Sequence, residues 1–185
     1  RQADFRFLNS GNIGSPVHFI FFDHYDPFGF RMGHQQFDVY RLTKNNIPFY
    51  DSRISYSNLK IVIGTNREQL YEASHHQRIG SQFKFGFHFR RFASTGIYTA
   101  QETGSNTAAL NAQFNSKNKR YKIQTILSLN NMKTQENGGV SFPGIFEDTS
   151  FTTKTLVDVA TTTARTEDRT LGALIRQSYS FGKKV

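Results

Sequence analysis

The 185 residues include no cysteine, no tryptophan and only 4 prolines, and no window approaches the ~20 consecutive apolar residues of a membrane-crossing helix. Without cysteine there is neither a disulfide framework nor thiol catalysis, while the compartment stays open. A mean hydropathy of -0.54 argues further against helical spans. It says nothing against membrane-crossing strands, whose lipid-facing and water-facing residues alternate so that any window averages polar. The start, Arg1-Gln2-Ala3-Asp4, has no charged stretch leading into an apolar one, so a secretory signal was either removed or never present. Enzyme signatures are also missing. There is no Gly-x-Ser-x-Gly elbow, and Gly138-Gly139 lacks the Lys-Ser or Lys-Thr of a phosphate loop.

What the chain does have is 19 Phe, 8 Tyr and a net charge of +9. Aromatics in such number, without bulk hydrophobicity, suit strands and interfacial girdles. In Phe83-Lys84-Phe85-Gly86-Phe87-His88-Phe89-Arg90 four Phe take one parity and a mostly cationic set takes the other. That is period two, and in a strand it sends the Phe to one face and Lys84, His88 and Arg90 to the opposite one.

The same alternation continues through Ala108, Leu110, Ala112 and Phe114 and through Tyr121, Ile123, Thr125, Leu127 and Leu129, interleaved with Asn111, Gln113, Lys122 and Gln124. A two-residue turn at Lys117-Asn118, with Asn118 at positive φ, would set Phe114 opposite Tyr121 and Ala112 opposite Ile123. A further strand runs from Leu171 to Phe181, with Arg176 on its polar side. Upstream, residues 53–63 and 68–76 form a less regular pair. Tyr56 and Val62 fall out of phase with Leu59, Ile61 and Ile63, which implies either a bulge near Ser57 or a wrong phase for the strand. Connections at 77–80 and 116–119 are tight, whereas 93–105 and 131–169 are long and polar, an asymmetry expected of periplasmic turns and external loops. Residues 1–50, with Val17-His18-Phe19-Ile20-Phe21-Phe22 set among Pro27, Gly29, Gly33 and Pro48, read as an irregular lead-in that is periplasmic, plug-like or the first strands; residues 51–185 read as the amphipathic strands.

Several short stretches together resemble the putative porin family of Bacteroidota outer membranes: Asn12-Ile13-Gly14-Ser15-Pro16, Phe49-Tyr50-Asp51-Ser52-Arg53, Ile63-Gly64-Thr65-Asn66-Arg67-Glu68-Gln69, Phe85-Gly86-Phe87 leading to Arg90-Arg91, Ser116-Lys117-Asn118-Lys119-Arg120-Tyr121 and Glu136-Asn137-Gly138-Gly139. The resemblance implies an all-β, antiparallel transmembrane barrel in a bacterial outer membrane, with no catalytic residues to carry over; no cofactor and no metal are expected either. Relatives of that kind are several times longer, and the chain ends without a terminal aromatic, so it is expected to be an N-terminal portion of a larger barrel or to be completed by partner chains. An open set of roughly six to eight strands would otherwise leave unpaired edges in lipid.

The expected function is passive passage of small polar solutes. Lumen-facing candidates are Lys84, His88, Arg90, Asn111, Gln113, Lys122, Gln124 and Arg176; lipid- or partner-facing candidates are Phe83, Phe85, Phe87, Phe89, Leu110, Phe114, Tyr121, Ile123 and Leu127. The cations would bias the lumen toward anions, or simply form a solvated face. Expected partners are outer-membrane lipid and other outer-membrane proteins. The alternative is a structural or accessory subunit of a secretion or biogenesis complex, with its lumen plugged. A soluble, basic nucleic-acid-binding sheet is weaker: Lys84-Phe85-Gly86-Phe87-His88-Phe89 echoes an RNA-stacking signature, but no segment supplies the helices that fold needs. His75-His76 with Asp23, His24, Asp26 and His34 offers metal-ligand chemistry, yet adjacent His on a strand point to opposite faces, and the acidic spacing of an EF-hand is absent.

Overall fold

Period-two patterning needs a sheet with two different faces, and a sheet is what these residues build. The computed structural model describes residues 7–9, 11–20, 36–50, 53–65, 67–142, 144 and 157–181. Two short strands, β1 (Phe7–Asn9) and β2 (Val17–Phe19), pair antiparallel, and a 3-10 turn covers Asp38–Tyr40. Six longer strands follow: β3 (Tyr56–Ile63), β4 (Gln69–Ile79), β5 (Phe83–Ser94), β6 (Thr103–Asn115), β7 (Tyr121–Gln135) and β8 (Arg165–Tyr179). They form one antiparallel meander in chain order, and among the described residues the sheet is open, with β3 and β8 at its edges.

The register runs unbroken. Tyr56 pairs with His76, His76 with Gly86, Gly86 with Asn111, Asn111 with Ile126 and Ile126 with Leu174. The upstream pair is present, and of its two alternatives the bulge falls, since β3 pairs without interruption from Tyr56↔His76 to Ile63↔Gln69. Tyr56 and Val62 lie on the opposite face from Leu59, Ile61 and Ile63, where Tyr56 stacks near Tyr50 (ring centroids 6.0 Å).

The β6–β7 hairpin is corrected. Phe114 pairs with Ile123 and Ala112 with Thr125, two residues along from the register a two-residue turn would give. The loop spans Lys117–Arg120, and the residue at positive φ is Lys119 (55°). Side chains select this turn: Ser116 Oγ donates to Asn118 Oδ1 (2.6 Å) and accepts from the Tyr121 N–H (3.0 Å), while Asn118 Oδ1 also accepts from the Arg120 N–H (3.1 Å). A slip of two preserves face assignment, so every apolar residue keeps its side.

Strands extend further toward the long connections than alternation indicates. β7 has 15 residues, about 50 Å at ~3.4 Å per residue, against the ~9–11 that cross a bilayer. The β5–β6 connection therefore shortens to 95–102. At the base of the β7–β8 connection antiparallel pairing persists through the bridge Val140↔Val159.

The core lies between one face of the sheet and residues 11–17 and 36–50, which cross it as a strap. Phe37, Phe92 and Met132 form one buried cluster with Ile13, Tyr40 and Leu70; Ile47, Ala109 and Ile126 form another with Leu42, Phe49 and Leu174. Gly14 allows the first close approach: its φ of +84° disfavours a side chain, and a Cβ there would stand 2.5 Å from the Phe92 ring.

Candidate functional site

The face under the strap carries the polar parity of every strand. Register places Lys84, His88 and Arg90 of β5, Asn111 and Gln113 of β6, Lys122 and Gln124 of β7 and Arg176 of β8 together on it. Rows of neighbours meet directly: Gln124 Nε2 donates to Gln113 Oε1 (3.0 Å), and Arg90 Nε donates to Glu72 Oε1 (2.7 Å), while Glu72 Oε2 lies 3.7 Å from Lys60 Nζ. Lys60, Glu72 and Arg90 thus form a charge ladder across β3, β4 and β5. Counting strand positions, this face has six cations (Lys60, Arg78, Lys84, Arg90, Lys122 and Arg176) and two anions (Glu72 and Asp168).

The strap is fastened mainly by its backbone. Asn130, 7% exposed, brackets Leu42: its Oδ1 accepts from the Leu42 N–H (2.8 Å) and its Nδ2 donates to the Leu42 carbonyl (3.1 Å). Asn111 Nδ2 donates to Pro48 O (2.7 Å), Thr134 Oγ1 to Gly14 O (3.2 Å) and Thr103 Oγ1 to Ile13 O. Arg41 pairs with Asp168 of β8 and with Asp38. Burial holds the Tyr40 phenol above its ordinary pKa, keeping it a neutral donor to Ser15 O (3.1 Å). Gly86 leaves room for this packing, since a Cβ there would fall on the side-chain atoms of Asn111 and His76. Beside the strap a cleft of about 120 Å³ remains, lined by Leu42, Asn58, Glu72, Ser74, His88 and Arg90.

The opposite face is bare. Phe83, Phe85, Phe87 and Phe89, Leu110 and Phe114, and Tyr121, Ile123 and Leu127 all stand on it. Leu59, Ile63, Leu129, Leu171 and Ile175 share it and are more than half exposed. Soluble monomers rarely show a contiguous apolar patch beyond a few hundred Å², and this one extends across all six strands.

His75 and His76 point to opposite faces. His76 packs against Tyr50 (4.2 Å) and His88 (4.6 Å) on the covered side. Asp23, His24, Asp26 and His34 lie outside the described residues. Sequence reasoning missed Glu72, Lys60, Asn130 and Asp168, all on the polar parity of their strands, and Arg41, which has no periodic signal.

Antiparallel strands with a polar, cationic face on one side and a bare apolar face on the other are the pattern of a β-barrel wall. The chain belongs to the family described as "Putative porin", whose model matches residues 1–184. No curated protein and no solved structure matches it significantly.

Proposed function

We propose that the protein forms part of a barrel in a bacterial outer membrane and lets small polar solutes pass passively along its covered face, with no cofactor and no covalent step. The observation that carries this is the segregation itself: six cations and rows of Asn, Gln, Ser and Thr on one side, an exposed apolar field on the other. Water on the first side and lipid on the second satisfy both. The edges β3 and β8 present unpaired backbone groups, each costing several kcal/mol in hydrocarbon, so further strands, from this protein or a partner outer-membrane protein, close the wall.

The excess of positive charge on the covered face favours anions among the solutes. Full-length protein reconstituted in a planar bilayer should give ohmic steps and an anion-selective reversal potential under a salt gradient. Lys84→Gln, Lys122→Gln and Arg176→Gln combined should move that potential toward zero.

A second reading, a plugged structural subunit of a larger assembly, is favoured by the strap, which hydrogen-bonds across β6 and β7 and fills much of the covered face. A protein that inserts but never conducts, and copurifies with other outer-membrane proteins, would support it over passage.

A further inference from the structure

The bare face is not uniformly apolar. Its charged strand residues are Arg91, Lys133, Arg165, Glu167 and Arg169, and all lie in the rows nearest the long connections. Four cations thus face one anion. Glu167 stands 3.2 Å from Lys133, 3.7 Å from Arg165 and 3.7 Å from Arg169, so a single carboxylate is shared among three cations and a net positive charge persists.

Immediately below this row a groove of about 460 Å³ opens on the same face, walled by Phe89, Leu129 and Leu171, with Asn131 and Arg169 at its head. The groove exists because Ala108 sits in register between Phe89 and Leu129, a small side chain between two large ones.

We propose that this is a binding site for a phosphorylated lipid of the leaflet on the long-connection side. The phosphate lies against Arg169, Arg91 and Lys133, and an acyl chain lies in the groove over Ala108. Charge complementarity selects the occupant: an apolar slot capped by guanidinium and ammonium groups matches an anionic headgroup on a hydrocarbon tail, whereas a neutral lipid or another apolar protein face leaves the cations unmatched. The proposal rests on the barrel reading, because only a lipid-facing surface meets such a ligand.

The test is native mass spectrometry of full-length protein extracted from its own membrane in a mild non-ionic detergent, with gel mobility before and after boiling recorded on the same sample. The wild type should retain phosphorylated lipid, and 50 mM-scale inorganic phosphate, roughly a physiological ionic strength, should not displace it. Arg91→Gln with Arg169→Gln should lower retention about fivefold per cation removed. Ala108→Leu, which fills the groove and keeps the face apolar, should lower it without touching the charges. A heat-shifting protein that carries no phosphorylated lipid, or variants that retain as much as wild type, would overturn the site while leaving the barrel intact. Displacement by inorganic phosphate would make it an anion site and overturn the lipid assignment. A protein with no heat shift would overturn both.

Discussion

In the proposed barrel, parity assigns each strand residue to water or lipid, and the energetic contrast between neighbours is large. Phe87 lies in the middle of the apolar field, in the row His75–Phe87–Leu110–Leu127. Phe87→Arg should cost about 2–4 kcal/mol, measured as a lowered denaturant midpoint of the membrane-inserted protein. Gln124→Arg, on the covered face, should shift stability far less and change ion selectivity instead. At the β6–β7 turn, Lys119 holds a φ of 55°, which only glycine adopts freely. Lys119→Gly should therefore raise stability by up to about 1 kcal/mol, read as a higher melting temperature. The turn also shows where pattern reading stops. Alternation assigned Phe114, Ile123 and Ala112 to their face, but the register depended on Ser116 and Asn118 hydrogen bonds, which a count of turn residues does not contain.

Strands and strap differ in how far the sequence reveals them. The central part of β5 is legible because its two faces differ sharply in polarity, so Phe and cations alternate. From Arg91, Asn106, Asn131 and Arg169 onward the outward face becomes polar, the alternation disappears, and the backbone pairing continues regardless. The strands therefore read shorter than they are. The strap is the opposite case: its fastenings join backbone atoms to side chains some 90 residues away, as in Asn130 to Leu42, and leave no local signature. Asn130→Ala strips Leu42 of both partners and should release this segment at a cost of about 1–3 kcal/mol. Hydrogen exchange should then accelerate at residues 41–47 while β6 and β7 stay protected; unchanged exchange would mean that the strap is held mainly by its Phe37 and Ile47 clusters.

At the scale of the whole molecule, the two faces make one claim: the sheet separates water from lipid. These 185 residues carry no cysteine, so a single introduced cysteine takes the label once any cysteine elsewhere in the full-length protein has been replaced by serine. The decisive experiment is a scan of positions 83–90 of the full-length protein in lipid vesicles, with a nitroxide at each position and collisional relaxation by oxygen and by a water-soluble nickel chelate. Positions 83, 85, 87 and 89 should respond to oxygen, which partitions into lipid, and positions 84, 88 and 90 to the chelate, or to neither where the strap shields them. Equal access of the chelate to both parities would place water on both faces of the sheet and contradict a membrane-embedded wall.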